Sequence, residues 1–331
     1  MKKLLIAQTV LFFITIQLVA AQPALDSAKV LLMRQEYGRA EKLVSDFLVT
    51  HQDHREALFM RFSIQQTSNL DYESYNQGFS RFLSQTDGAI AVLELRTKTN
   101  QATQDPLDFV YWGNMLGGKS VIKAKCNDWF GAINDAVRSV DLLKNAVKID
   151  STCFEAWYGL GLADYYLSQQ LKWLPMFGNR QAEGIIEIKK SLLSPFPYNN
   201  AARNSLCWIY IERGDLKLAE GLMNEVLREY PDNTIFIRIG CRIAQLRGDV
   251  EQGRHFGELL VARSSNRNPV NWSDLMMGHR TIAMAYAAAK NSAQCKAAID
   301  RALALKIPAG ARNQQLVKMH REFMLRLRAK C

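Results

Sequence analysis

Apolar side chains in the second half of the chain recur with the period of amphipathic helices, and the whole pattern repeats after 34 residues. Gly214-Asp215 and Gly248-Asp249 are 34 residues apart, and so are Cys207 and Cys241. Each repeat contains two helical segments separated by a short polar turn. A two-helix unit of this size cannot bury its apolar face alone, so the pattern predicts a stack of helical hairpins.

The spacing of aromatic and small residues within each unit resembles the tetratricopeptide repeat (TPR) family. That family has Trp, Leu, Gly and Tyr in the first helix, small residues in the second helix and Pro after it. The matching residues are Trp157, Leu160 and Gly161, then Leu206, Cys207, Tyr210, Ala219 and Pro231, then Gly240 and Cys241, and finally Ala283, Tyr286, Cys295 and Ala302. Asp164 departs from the pattern at a tyrosine position. The resemblance implies an all-α fold, a right-handed α-α superhelix (TPR solenoid) of helical hairpins.

The quality of the repeats divides the chain into four parts. We expect a signal peptide at 1–21, degenerate helical hairpins at 22–105, the TPR array at 106–308 and a C-terminal capping helix at 309–331. Within the second part, two hairpins precede a separate short helix near 89–97.

Two helices near the start of the array have local signals. Asp105 followed by Pro106 predicts a helix start, because Asp caps a helix N-terminus and Pro suits the first helical position. The helix after it should pack through an apolar face made by Ile133, Val137, Val140, Leu143 and Val147.

The six cysteines form neither a C-x-x-C redox motif nor a zinc-like cluster. Cys207, Cys241 and Cys295 fall where the two helices of a repeat cross closely, so we interpret them as small buried core residues. The sequence leaves open whether Cys126, Cys153 or Cys331 becomes oxidised.

The chain begins with two lysines and an uncharged run from Leu4 to Ala21, with small residues before a possible cleavage at Gln22. This layout is typical of a secretory signal peptide, and an uncleaved anchor is the alternative. We therefore expect an exported protein, in a bacterial periplasm or on the cell surface. The net charge of +10 suits anionic lipid, glycan or acidic protein, and nucleic acid is not expected as a partner there.

The stretch GNMLGGKS, Gly113 to Ser120, matches the Walker A pattern of nucleotide-binding loops. A working loop follows a strand, whereas the surrounding sequence predicts helical hairpins. We interpret Gly113, Gly117 and Gly118 as sites where two helices approach closely, and we expect no ATP binding and no cofactor. The histidines of HQDH (51–54) are interpreted as part of a turn rather than as metal ligands. The sequence contains no hydrolase or zinc-protease motif, so we expect no enzymatic activity.

The family resemblance implies that one stripe of each first helix faces a concave groove. The groove residues transferred to this chain are Tyr158, Leu162, Tyr165 and Tyr166, then Asn204, Trp208 and Ile211, then Arg238, Arg242 and Gln245, and finally Arg280 and Met284. Aromatic rings supply rigid contact area and guanidinium groups pair with carboxylates. We therefore expect a protein or peptide partner, whose identity the sequence does not give. A solvated or self-packed inner face is the alternative.

A second function class remains open. The last segment is basic at Arg312, Lys318, Arg321, Arg326, Arg328 and Lys330, with an apolar stripe at Leu316, Met319, Phe323 and Leu327. The loop KWLPMFGN (172–179) is also strongly apolar. These features are compatible with a surface protein of the envelope that associates with anionic lipid or glycan.

The interpretation of the Walker-like stretch can be tested on the purified protein. We expect titration calorimetry with Mg²⁺ and ATP to detect no binding, because a helix offers no phosphate-binding loop. A measurable affinity that is lost in Lys119→Ala would contradict this interpretation.

Overall fold

The computed structural model describes residues 23–99, 104–170, 179–194 and 199–331, which form α-helices and turns without any β-strand. The helices are α1 (residues 23–33), α2 (Tyr37–Thr50), α3 (Arg55–Asp71), α4 (Tyr75–Thr99), α5 (Pro106–Lys125), α6 (Trp129–Ile149), α7 (Ala156–Gln170), α8 (Gln181–Ser191), α9 (Asn199–Arg213), α10 (Leu216–Glu229), α11 (Thr234–Arg247), α12 (Val250–Ser265), α13 (Trp272–Ala288), α14 (Ser292–Leu303), α15 (Ala309–Arg312) and α16 (Gln315–Arg328). The all-α prediction is confirmed. The predicted signal peptide and all but the last residue of the loop at 172–179 lie outside the described residues.

The helices belong to two compact units. The described part of unit 1 is residues 23–70, 75–99, 104–170 and 179–194, and that of unit 2 is Asp71–Ser74 with residues 199–331. The predicted boundaries at 105 and 308 concern the quality of the repeats and stay predictions. Within the described ranges, every helix falls short of the length and apolarity needed to cross a membrane.

Helix α4 differs from the prediction. Residues 89–97, expected as a separate short helix, are the last part of α4, which runs for 25 residues. Gly88 is the one weak helix former in the middle of this segment, and its cost of about 1 kcal/mol relative to alanine is too small to end a packed helix. The hydroxyl of Thr86 donates to the carbonyl of Phe82 at 2.7 Å and so stays within the helix.

Helix boundaries in the repeats follow from a few residues. The Asp105 carboxylate accepts a hydrogen bond from Leu107 N at 2.9 Å and Pro106 is the first residue of α5, as predicted. Gly248 ends α11 at φ 66°, a left-handed conformation that glycine adopts without steric cost. Asp249 then caps α12 by accepting from Gln252 N at 2.9 Å. The recurring Gly-Asp pair therefore marks the turn inside a hairpin.

The Walker-like stretch lies inside α5. A Cβ at Gly113 would be 2.8 Å from Leu143 Cγ, and a Cβ at Gly118 would be 2.5 Å from Phe62 Cζ. These glycines therefore permit close packing of α5 against α6 and α3. Lys119 is buried, and its Nζ lies 2.5 Å from Asp87 Oδ1. The backbone N–H groups of this stretch are committed to the helix, so it forms no phosphate-binding loop.

Helix α6 packs through a face that matches the predicted one only in part, because Leu143 is buried as expected and two other predicted residues are not. The prediction was wrong at Ile133 and Val137, which are 61% and 53% exposed. Ser139 Oγ instead donates to Gly113 O at 2.7 Å, and Asp135 Oδ2 lies 2.7 Å from Lys123 Nζ. Leu143 packs at Gly113 beside these polar groups, and the inward face of α6 is therefore a mixture of apolar and polar residues. The exposed set, called the α6 stripe, is Trp129, Phe130, Ile133 and Val137.

Small residues occupy the crossing points of the hairpins in both units. In the α7–α8 hairpin, a Cβ on Gly161 would lie 2.5 Å from Gly184 O. In the α9–α10 hairpin, Cys207 Sγ donates to Ala219 O at 3.4 Å. Cys241 in α11 is fully buried. The helix axes can therefore approach more closely than larger side chains would allow, and this close approach builds the core of each hairpin.

Cys295 differs from the prediction of a simple packed thiol. It is buried as expected, but it forms a disulfide with Cys331, the last residue of the chain, with a Cα–Cα distance of 6.2 Å. Cys126, Cys153, Cys207 and Cys241 are reduced. Burial raises the pKa of Cys207 and of Cys241 to about 12, so both are unreactive core residues, as predicted.

The C-terminal helix is present but rotated from its expected orientation. α16 buries Val317, His320 and Met324, whereas Leu316 and Met319 of the predicted stripe are exposed. Val317 and Met324 join a core cluster with α13 and α14. The contacts with this cluster determine which face of α16 is buried, and the number of apolar residues on a face does not. The disulfide fastens the chain directly after this helix.

The Cys295–Cys331 disulfide should stabilise unit 2. Closing a loop with a sequence separation of 36 removes conformational freedom from the unfolded chain, and native disulfides of this kind contribute about 2–4 kcal/mol. We expect Cys331→Ser to lower the melting temperature of the oxidised protein, measured by circular dichroism. Reductant should lower the melting temperature of the wild type and leave Cys331→Ser unchanged. Equal melting of the oxidised and reduced wild type would contradict the assignment.

Candidate partner-binding face

Eight of the predicted groove residues carry aromatic or polar side chains of particular interest, and they are divided between the two units. Tyr158, Tyr165 and Tyr166 lie in unit 1. Asn204, Trp208, Arg238, Arg242 and Arg280 lie in unit 2.

The three tyrosines of unit 1 differ in exposure. Tyr165 is only 2% exposed and fills the crossing of α7 and α8, whereas Tyr166 is 38% exposed. Their rings form an edge-to-face pair with centroids 5.0 Å apart. Tyr158 is half-buried. Tyr166 therefore has the most surface available to a partner, and Tyr165 has a structural role.

In unit 2, α9 presents Asn204 and Trp208 one turn apart. Trp208 is exposed, although the neighbouring Ile209 and Tyr210 are buried. Asn204 Oδ1 is buried and accepts no hydrogen bond from the described residues. The exposed indole can supply apolar contact area to a ligand.

Arg238 takes part in an internal network. Its Nη2 is 2.9 Å from Asp71 Oδ1, and its Nη1 is 3.3 Å from Asp274 Oδ1. Both carboxylates are buried. Burial raises the pKa of Asp274 to about 6, although Arg238 acts in the opposite direction. The Arg238 charge is thus already neutralised by residues of unit 2.

Arg242 and Arg280 come together with Arg326 of α16. Burial lowers the pKa of Arg280, and the charges of Arg242 and then Arg326 lower it further. Arg242 and Arg326 are exposed and Arg280 is half-buried. Within the described ranges, none of the three forms an ion pair with a carboxylate. We call these residues the arginine triad.

The Arg280 side chain is held in position by α16. Its guanidinium carbon lies 3.9 Å from the centroid of the Phe323 ring, and its Nη1 is 3.2 Å from His320 Nδ1. Burial, followed by the Arg280 charge, lowers the pKa of His320 to about 4, so this imidazole is neutral at pH 7 and can accept. Arg280 Nε is buried and donates to none of the described residues. Arg280 is therefore a positioned positive charge beside two exposed arginines, an arrangement suited to an anionic group.

A second candidate is a cavity of about 390 Å³ in unit 1. It lies at the α2–α3 turn, where the histidines of HQDH contribute to its wall. Its two arginines are already paired. Arg55 Nη1 lies 2.5 Å from Asp105 Oδ2, and Arg96 Nε lies 3.3 Å from Asp108 Oδ1. No group of three or more metal-ligating side chains suited to a metal ion occurs in the described part of the chain. This cavity has no uncompensated charge to attract a ligand.

No family model and no curated protein matches the chain. Among solved structures, it is similar to the APC/C hetero-tetramer Cut9-Hcn1, at 10% identity and a TM-score of 0.54, covering 93% of this chain and 52% of that one. It is also similar to the C-terminal part of a TPR repeat-containing protein from Cytophaga hutchinsonii, at 17% identity, with 88% of this chain and 99% of that one covered and a TM-score of 0.46. A third similar structure is PilW, a type IV pilus biogenesis factor, at 17% identity and a TM-score of 0.48. The match covers 77% of this chain and 98% of PilW. At these identities the similarity concerns the fold.

The chain has a tetratricopeptide repeat fold. Asp164 occupies a tetratricopeptide tyrosine position in α7, and its Oδ2 lies 2.6 Å from Arg180 Nη2. Burial, then the neighbouring Asp164, raises the pKa of Glu187 to about 7. In this hairpin, a polar cluster replaces the tetratricopeptide tyrosine.

Sequence reasoning missed several residues of unit 2 that surround its arginines. Asp71, Arg267 and Asn271 complete the Arg238 network, and Arg326 completes the triad. Arg326 was noted as part of a basic segment, but the repeat pattern stops before α16. Asp71 belongs to a segment far away in sequence, and no local signal connects it to Arg238.

Arg238 and Arg242 lie one turn apart on α11 and form a matched pair for mutation. Arg238→Ala leaves two buried carboxylates without their shared cation, which costs about 3–5 kcal/mol when a buried pair is broken. We expect a clear fall in the urea midpoint of unfolding. Arg242→Ala removes an exposed side chain and should change stability by less than about 0.5 kcal/mol. Equal effects of the two substitutions would contradict the assigned network.

Proposed function

We propose that this protein is a non-catalytic scaffold that binds an acidic segment of another protein through the inner side of its hairpins. The observation that carries the proposal is the arginine triad. Arg280 is half-buried beside two like charges, and within the described ranges no carboxylate neutralises the group. Bringing like charges together in a partly desolvated place is unfavourable, and a bound carboxylate relieves it.

The exposed aromatic residue on α9 supports a protein ligand rather than a free ion. Trp208 offers ring surface to a partner. Aromatic and arginine side chains dominate the energetics of protein interfaces. Concave surfaces of helical repeat proteins are also the usual place for extended partners. We therefore assign the partner as a protein or peptide with acidic side chains.

We further propose that the protein acts outside the cytoplasm, in the bacterial envelope. The leader-like residues 1–21 are the main support, and they lie outside the described residues. The Cys295–Cys331 disulfide is a second, independent support, because disulfides persist mainly in oxidising compartments.

The α6 stripe favours a second function, association with anionic lipid. Phe130 is 91% exposed and Trp129 is 60% exposed. Lys144 and Lys148 are exposed further along the same helix. Aromatic and aliphatic side chains followed by lysines are typical of helices that lie in a membrane interface.

The two functions can be separated with substitutions that avoid the core. Arg242→Ala with Arg326→Ala removes two exposed charges of the triad, and Arg254→Ala with Arg263→Ala removes two exposed charges from α12 as a control. We expect the first pair to reduce the capture of an envelope partner at least about tenfold, equivalent to about 1.4 kcal/mol, and the control pair to leave it unchanged.

Flotation with phosphatidylglycerol vesicles tests the lipid alternative. If binding to acidic protein is the function, the triad variant keeps whatever vesicle binding the wild type has. Unchanged partner capture by the triad variant, together with loss of vesicle binding in Phe130→Glu, would contradict the primary proposal and support the second one.

A further inference from the structure

We propose that unit 2 contains a recognition socket for a short acidic peptide with an Asp-aromatic-Glu sequence, and that its own Asp71-Tyr72-Glu73 is the resident copy. This inference deepens the proposed function and rests on it, because it names the kind of segment that a partner would present. The socket is separate from the arginine triad: its residues are Arg238, Arg267, Asn271, Gln314 and Leu316.

At the first position of the resident segment, the socket binds a carboxylate. Asp71 Oδ1 lies 2.9 Å from Arg238 Nη2, and its Oδ2 lies 2.8 Å from Arg267 Nη1. Asn271 Nδ2 donates to the main-chain carbonyl of Asp71 at 2.9 Å and approaches Oδ1 at 3.3 Å. Two guanidinium groups and an amide thus bind both the charge and the backbone at one residue, which an asparagine could not replace without loss of charge.

At the second position, the socket binds an aromatic ring. The Arg267 guanidinium carbon lies 4.5 Å from the centroid of the Tyr72 ring, so one arginine binds both Asp71 and Tyr72. The Tyr72 hydroxyl donates to Pro269 O at 3.2 Å, and Gln314 Nε2 donates to the Tyr72 carbonyl at 2.7 Å. Each of these contacts is made to a group that any peptide with a tyrosine at this position would offer.

At the third position, the N-terminus of α16 binds a carboxylate. Leu316 N donates to Glu73 Oε2 at 3.1 Å. The helix's own N-cap residue, Gln314, makes no side-chain capping hydrogen bond. Glu73 therefore satisfies an N–H group that α16 leaves free, and its charge is favourable at the positive end of the helix. Glu73 has φ 50°, a conformation unfavourable for a residue with a side chain, so the contacts hold it there.

The balance of charge explains why the socket needs an acid. Arg238 and Arg267 are both largely buried, and Asp274 is a buried carboxylate beside Arg238. Asp71 pairs with both arginines, so its loss would remove one anion from two cations in a desolvated place. A vacated socket therefore attracts a carboxylate, and a partner with the same three residues can occupy it in place of the resident segment.

The test uses the full chain and a synthetic peptide, Asp-Tyr-Glu-Ser, with fluorescein on its N-terminus and an amidated C-terminus. Asp71→Ala with Tyr72→Ala and Glu73→Ala removes the three side chains that fill the socket and weakens the tethered competitor, so anisotropy should show binding at least tenfold tighter than to the wild type. The control peptide Asn-Tyr-Gln-Ser should bind at least tenfold more weakly. Adding Arg267→Ala to the triple variant should abolish binding, whereas adding the exposed Arg263→Ala should not.

A milder variant covers the risk of misfolding. Asp71→Asn keeps the size of the side chain and removes the charge that pairs with Arg238 and Arg267, and it should bind the peptide several-fold more tightly than the wild type does. The inference is overturned if a variant whose circular dichroism matches the wild type binds the acidic peptide no better than the amide peptide. It is also overturned if that variant binds no better than the wild type. If the peptide fails while capture of an envelope partner still depends on the triad, the socket is wrong and the proposed function stands.

Discussion

The close crossing of two helices at small residues is the constraint on which the whole fold depends. At Gly161 and Gly184, backbone carbonyls lie where side chains would otherwise be, and Cys207 contacts the Ala219 carbonyl in the same way one repeat later. Such crossings leave little room for larger groups, so they determine which face of each helix turns inward. In α6 the crossing at Gly113 buries Ser139, and an apolar stripe lies on the outside.

The same geometry places the arginines of unit 2 in two different electrostatic situations. Arg238 lies against Asp71 and Asp274 and is neutralised within the unit. Arg242, one turn later, lies beside Arg280 without a carboxylate partner in the described part of the chain. Neutralised arginines stabilise a structure, whereas uncompensated and partly desolvated arginines favour an external anion. The proposed partner surface follows from this difference.

Local signals in the sequence predicted much of the fold. The Gly-Asp turns, the Asp105 cap and the crossing residues Gly161 and Cys207 depend on neighbours within one repeat, so their pattern is visible along the chain. The inward face of α6 was not predictable from apolar residues alone, because a polar group such as Asp135 can be buried when lysines pair with it. Fold-level similarity supports the repeat architecture but does not identify a partner.

The features that matter most for the proposed function depend on contacts between distant parts of the chain. Asp71 reaches Arg238 across 167 residues of sequence, and Cys295 pairs with the last residue of the chain. Such contacts produce no repeating pattern in the sequence. The sequence therefore identified the candidate arginines but did not show which of them pair with a carboxylate and which do not.

The central claim is that an acidic partner is bound at the arginine triad. Chemical footprinting of arginines with phenylglyoxal, read by mass spectrometry with and without the captured partner, tests it most directly. The account predicts that the partner protects Arg242 and Arg326 from modification, while Arg254 and Arg263 on α12 react as before. Unchanged modification of Arg242 and Arg326, with the partner bound, would contradict it.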